Sequence, residues 1–218
     1  PIAKIDKKLA RAYQLSLKLD HGTLVPLYFV NKEYHAYKLV HITYGLLSPE
    51  KLYKFGHIIQ KAVLESNEDV VFIASGDLSH RLSNSGPYSY SPYGPEFDKK
   101  LINLLKEADF EKVVTFDSVL AEKAGQCALR SLIVLAGFLD GYKVEAEVLS
   151  YEGPFGVGYC NARFVPIGRD DSRRIYGKLK RKEREKIEKI REKEDPYVRL
   201  ARKSLEHYIK YGERLKVP

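Results

Sequence analysis

Hydrophobic residues recur along this chain with two periods, and the switches between them mark out its elements. After Ser48-Pro49-Glu50, Leu52, Phe55, Ile59 and Val63 fall at helical spacing. A cap residue, a proline at the first helical position and an acid in the first turn predict a helix to about Ser66, with one face on a sheet. His57 lies off that stripe and is expected at the surface. Leu39-Val40-His41-Ile42-Thr43 and Asp69 to Ala74 are short β-branched runs and read as strands. Before them, Asp20 or Thr23 is a candidate helix cap ahead of the apolar Leu24 to Val30; residues 7 to 20 predict no clear element. Further helices are expected from Glu96 to about Lys106, over Glu111 to Val114, and over Gly125 to Phe138, the last with Leu129, Leu132, Ile133 and Ala136 on its apolar face. Period two returns in Tyr142 to Ser150 and Val157 to Val165, a hairpin pair around Gly153-Pro154-Phe155-Gly156. A charged helix follows Pro166 and breaks at Asp195-Pro196. A last helix then runs to about Tyr211, with Tyr197, Ala201, Leu205 and Tyr208 on one face.

Composition narrows the class. The 218 residues suffice for one well-cored domain and part of another, with the boundary between Gly168 and Asp195. The net charge of +8 invites a nucleic-acid partner, but half of it lies in residues 169 to 195. That stretch alternates signs, as a solvated helix does, and holds a single aromatic residue, Tyr176, so no nucleic-acid partner is expected. The longest apolar runs, such as Leu132 to Ala136, are far shorter than a membrane span, and no cationic leader with an apolar stretch opens the chain. Two cysteines make no disulfide framework. A cytoplasmic protein without membrane contact is therefore expected, and the abundant Lys and Glu with no Met fit a thermophile. Pro1-Ile2-Ala3-Lys4-Ile5 reads as strand-like, and both ends read as cut.

The candidate chemistry sits where Val70-Val71-Phe72-Ile73-Ala74 runs into Ser75-Gly76-Asp77-Leu78-Ser79-His80. In an open α/β sheet the carboxyl ends of strands face the ligand crevice, which would deliver Asp77 and His80 to it. The same Asp-x-x-His also suits a simple cap or turn. Of six histidines, only His21 and His80 lie at turns beside an Asp and a Gly. An imidazole near neutrality with a carboxylate neighbour is what a general base or a metal site requires. Cys127 is expected near the start of a buried helix, whose positive end favours thiolate, although a buried inert thiol is the competing reading. Tyr88, Tyr90 and Tyr93, set among glycines and prolines from Gly86 to Pro95, form either a binding lid or a rigid surface loop. Tyr88 and Tyr93 are the candidate substrate contacts.

Together, Leu19 to Leu27, Ala74 to His80, Gly94-Pro95-Glu96-Phe97-Asp98, the Cys127 segment and Tyr151 to Tyr159 resemble the class III extradiol ring-cleavage dioxygenases, LigB-type, and the similar Memo proteins. The likeness spans roughly residues 1 to 166. It implies an α/β domain over 1–167 with a mixed central sheet and flanking helices, and a C-terminal helical extension. Within that extension it implies a charged linker over 168–195 and, over 196–218, the first helix of an AMMECR-type domain. It further implies Fe(II) as cofactor, held by two histidines and a carboxylate, with a phenolic substrate and O2 as partners. His21 then matches the second metal histidine, His80 the acid/base histidine beside the metal, and Asp77 an acidic neighbour found in the Memo branch. Cys127 stands where the carboxylate ligand belongs, as in Memo proteins, with Glu122 a weaker substitute. The family's first metal histidine would lie before Pro1, so part of a metal site is expected here. Radical-SAM proteins accompany such two-domain proteins, and a homodimer is among the assemblies implied.

Overall fold

The computed structural model describes residues 7–12 and 18–216. Its elements are α1 (Lys7–Ala12), α2 (His21–Glu33), α3 (Pro49–Glu65), α4 (Tyr93–Lys106), α5 (Phe110–Val114), α6 (Ser118–Ala124) and α7 (Leu129–Phe138). The antiparallel pair β1 (Tyr142–Glu152) and β2 (Tyr159–Arg169) follows, then a 3-10 turn, α8 (Tyr176–Glu192) and α9 (Pro196–Tyr211). The chain divides into two compact units, residues 1–173 and 174–218. The strand-like Pro1 to Ile5 lies outside the described residues. No helix among the described residues is long and apolar enough to cross a membrane.

The first unit is an α/β fold, helices packed around a small antiparallel sheet. Tyr142 pairs with Arg169 and Glu152 with Tyr159, with register shifts at Lys143/Val144 and Val148/Ser150 that bend the ribbon. The runs 39–43 and 69–74, expected as strands, carry no ladder, and the sheet of the described residues has two strands rather than a larger mixed order. Val40 and Val71 are largely exposed, so these segments have strand composition without a strand partner.

Helix α3 begins where the cap and Pro49 predict, but it buries Leu52, Tyr53, Gly56 and Gln60, while Phe55, Ile59 and Val63 are only partly covered. The reason is a close crossing with α7. A Cβ on Gly56 would collide with the Val134 carbonyl, and one on Gly137 with the Tyr53 carbonyl, so two glycines let the backbones touch. Gln60 belongs to the buried face because its Nε2 donates to the carbonyls of Phe138, at 2.7 Å, and Asp140, at 2.8 Å. Tyr53 donates to Asp140 Oδ1, and His57 is not a surface residue but lies 3.4 Å from Asp140 Oδ2. Phe97, Leu101 and Leu105 of α4 and Val113 of α5 complete the core. Full burial of such side chains contributes about 1.5–3 kcal/mol each.

Two helix starts also differ from expectation. α4 opens at Tyr93, three residues before Glu96, and α7 at Leu129 rather than Gly125. Residues 125–128 instead form a turn after α6, whose left-handed Gly125 ends that helix and whose Asp117 caps its start. In the second unit Asp195 caps α9 by accepting from Tyr197 N and Val198 N, and Glu194 holds Arg202 through a two-pronged pair at 2.8 Å. The apolar face of α9 is open to solvent at Tyr197, Leu205 and Tyr208.

Candidate functional site

Residues 75–82 form a loop pinned on three sides by backbone. Leu78 N donates to Gly158 O, Gly158 N to Ser79 O, and Leu82 N to Gly156 O, so the loop rides along the entry to β2. On its other side the N–H groups of Cys127 and Ala128 donate to Asp77 O at 3.1 and 3.0 Å, and Asp77 N returns a bond to Cys127 Sγ at 3.0 Å. Gly76 makes this possible: a Cβ there would stand 2.6 Å from Ala128 Cα. Ser75 Oγ donates to Gly22 O, tying the loop to the first turn of α2.

These ties bring Asp77, His80 and Cys127 together. The imidazole Nε2 of His80 lies 3.7 Å from Cys127 Sγ and 3.8 Å from Asp77 Oδ2. At that distance the carboxylate acts on the imidazole by charge rather than by a hydrogen bond. One donor atom from each of the three residues lies within 4.8 Å of the others, and all three side chains are partly buried. Carboxylate, imidazole and thiol form a mixed donor set that suits a borderline divalent metal such as Fe(II). The dominant influence on Cys127 is burial, which pushes its thiol up; the Asp77 N–H bond opposes this, while the Asp77 charge adds to it. The expected helix-end lowering is therefore outweighed, since Cys127 stands in the turn before α7 rather than in its first turn.

Around this cluster, Tyr88 stacks on the His80 ring with centroids 5.6 Å apart and planes at 17°. Tyr93 is placed elsewhere: at the start of α4 its ring lies under Lys123 Nζ, 4.4 Å from the centroid. His21 is the first residue of α2 and exposed, outside the group of three. Asp20 caps that helix through Thr23 N at 3.0 Å, and its bonds from Thr23 hold its carboxyl below the ordinary value. Glu122 is exposed on α6, also outside the group.

Two contributors escape sequence reasoning. Tyr44 Oη donates to Cys127 O at 2.9 Å; burial first, then the Cys127 charge, pushes its phenol up. Asp98 lies beneath the loop, 1% exposed, accepting from Ser79 N. Nothing local marks Tyr44. Asp98 belongs to the Gly94–Asp98 motif, but its contact becomes visible only in space.

Residues 3–162 match the family described as the catalytic LigB subunit of aromatic ring-opening dioxygenase. The chain is 47% identical over 216 residues to Protein CA_C1420 of Clostridium acetobutylicum, covering 99% of this chain and 46% of that protein. It is 29% identical over 157 residues to an Escherichia coli 3,4-dihydroxyphenylacetate 2,3-dioxygenase, covering 65% and 54% of the two chains. It is 31% identical over 185 residues to a MEMO1 family protein of Pyrococcus furiosus, covering 71% and 60%. The chain spans about half the length of the curated relatives it matches. With most of its length inside that match, the chain belongs to the LigB family of aromatic ring-opening dioxygenase catalytic subunits.

Proposed function

We propose that the intact protein carries out Fe(II)-dependent oxidative cleavage of a catechol-like or other small phenolic substrate, both atoms of O2 entering the product. The observation that carries this reading is the convergence of His80, Asp77 and Cys127 on a pinned loop, with the Tyr88 ring stacked on the imidazole. Cys127 and His21 are the residues assigned to hold the metal; the bond between Ser75 and Gly22 supports this by keeping the start of α2 beside the loop. Fe(II), when bound, would supply activation of O2 and of the phenolic hydroxyl.

The chain's own residues have the following parts. His80 Nε2 takes the proton of a substrate hydroxyl and returns it as the ring opens. Asp77, 3.8 Å away, is the acidic neighbour assigned to hold the tautomer of that imidazole. Tyr88 offers a flat apolar surface to an aromatic substrate, and the segment to Tyr93 closes over it.

Cys127 favours a second reading: a Memo-like metal-binding scaffold protein without oxygenase activity, because a burial-raised thiol replaces a carboxylate ligand. Anaerobic Fe(II) reconstitution of the full-length protein followed by oxygen uptake with a catechol panel separates the two. Uptake supports the dioxygenase; none at stoichiometric iron sinks it and leaves the scaffold. In the same proposal α9 opens an AMMECR-type domain, radical-SAM proteins of that system are partners, and the protein pairs as a homodimer. The solvent-open apolar face of α9 supports further packing there.

A further inference from the structure

Beneath the loop that carries His80 lies a buried carboxylate with no part in the chemistry above. Asp98, on α4, is 1% exposed. One of its oxygens, Oδ1, accepts from the backbone N–H of Ser79 at 2.8 Å; the other, Oδ2, accepts from Tyr151 Oη of β1 at 2.6 Å. Gly158, just before β2, packs so closely on Oδ2 that a Cβ there would collide with it. Asp98 therefore joins α4, β1 and the β2 entry to a single peptide, the one next to His80.

A buried carboxylate is costly unless its oxygens are satisfied, and charge-assisted bonds to it are short and directional. Ser79 is wholly buried and held three times more: its Oγ donates to Ala124 O at 2.9 Å and accepts from Arg81 N at 3.0 Å, and its carbonyl accepts from Gly158 N at 2.8 Å. The residues on either side of this anchor differ in freedom. Leu78 is buried at 3%, whereas the His80 side chain is 20% exposed and reaches out to Cys127 and Tyr88.

We propose that Asp98, oriented by Tyr151, is the positioning residue for His80: it fixes the Ser79 peptide so that the imidazole is held against Tyr88 and within reach of Cys127. The inference rests on the role proposed for His80 and deepens it. Its test uses the Tyr88 stack, which needs neither metal nor turnover. In the full-length protein, labelled at histidine Cε1, the His80 signal is assigned by its disappearance in His80→Gln. Stacking on Tyr88 shifts that signal upfield, and Tyr88→Leu gives the unstacked position.

Asp98→Leu, which has no acceptor, is expected to move the His80 signal to the unstacked position. Asp98→Asn is expected to keep it, since an amide oxygen still accepts from Ser79 N while its N–H₂ donates to a rotated Tyr151 hydroxyl. Tyr151→Phe leaves the ring in place and moves the signal part of the way, because the carboxylate loses the bond that sets its torsion. A residue that merely stabilised the fold would lower the unfolding temperature and leave the stacked signal unmoved. An unmoved signal in folded Asp98→Leu, or in Tyr151→Phe where Asp98→Leu does not fold, overturns the assignment. A protein that takes up no oxygen would sink the proposed activity and leave this result intact.

Discussion

His80 Nε2 lies 3.7 Å from the Sγ of Cys127, although 47 residues separate them along the chain. The contact joins two turns through a ring of bonds in which Asp77 gives its N–H to the thiol and receives two N–H groups in return. Sulfur is thus fixed beside nitrogen before any ligand arrives, so the thiol assigned to the metal and the imidazole assigned to the proton share one preorganised site.

If Cys127 is a ligand, Cys127→Ser should weaken divalent metal binding by about tenfold or more, since even outer partners of ligands carry effects of that size. Titration with Co(II), followed by the sulfur-to-metal absorption band, checks this. The band should vanish in the variant; a wild-type affinity in Cys127→Ser would remove the thiol from the centre.

Gly76 sets the distance between the two turns. Gly76→Ala places a methyl 2.6 Å from Ala128 Cα and 3.0 Å from Cys127 O, and backbone cannot yield as a side-chain tip can. A loss of roughly 1–3 kcal/mol is expected from overpacking. Denaturant unfolding measures it, and an unchanged midpoint would show that the turns are not in contact.

Asp98 gives a pH signature. Burial is the largest influence on its carboxyl and pushes it above its ordinary value of 3.8, against the bonds from Tyr151 and Ser79 that pull it down. A raised folded value means that its contribution to stability is fully present below about 3.8 and is lost as pH rises through the folded value. Asp98→Asn, neutral at every pH, should therefore be relatively most stable against wild type near pH 7, with wild type gaining on it as pH falls toward 3.8. Urea unfolding at several pH values reads the difference; an advantage that is constant with pH would contradict the burial argument.

Tyr53 and Asp140 join α3 to the segment before β1 through a buried bond. Tyr53→Phe leaves a buried carboxylate oxygen short of that donor, at a cost of about 1–3 kcal/mol. Thermal unfolding checks it, and the Co(II) affinity of Cys127 should not change because the bond lies outside the loop cluster.

Local physics was legible in the sequence. Asp20 is a candidate cap in the sequence and Asp195-Pro196 a break before the last helix, and each aspartate accepts from N–H groups in its helix's first turn. The hairpin followed from period two. α6 carries the same kind of signal in Asp117 and Gly125, but it is too short, at seven residues, to show an apolar period of its own between the expected helices. What escaped was contact across space. Gly56 and Gln60 displaced the apolar stripe of α3 because a glycine crossing and two carbonyls decide that face, not hydrophobicity. Val40 and Val71 have strand character, but a ladder also needs a neighbour, and none pairs with them among the described residues. In the site, Asp77, His80 and Cys127 could be picked out by residue type and turn context. Tyr44 and Asp98 could not, since a phenol on a carbonyl and a carboxylate under a loop leave no spacing to read.

We assign His80 to moving a proton beside the metal rather than to holding the metal itself. Iron content and oxygen uptake with catechol, measured together on full-length His80→Ala after anaerobic Fe(II) loading, test it most directly. Near-stoichiometric iron with turnover abolished is the expected result; iron lost along with the imidazole, or turnover retained without it, would overturn the assignment.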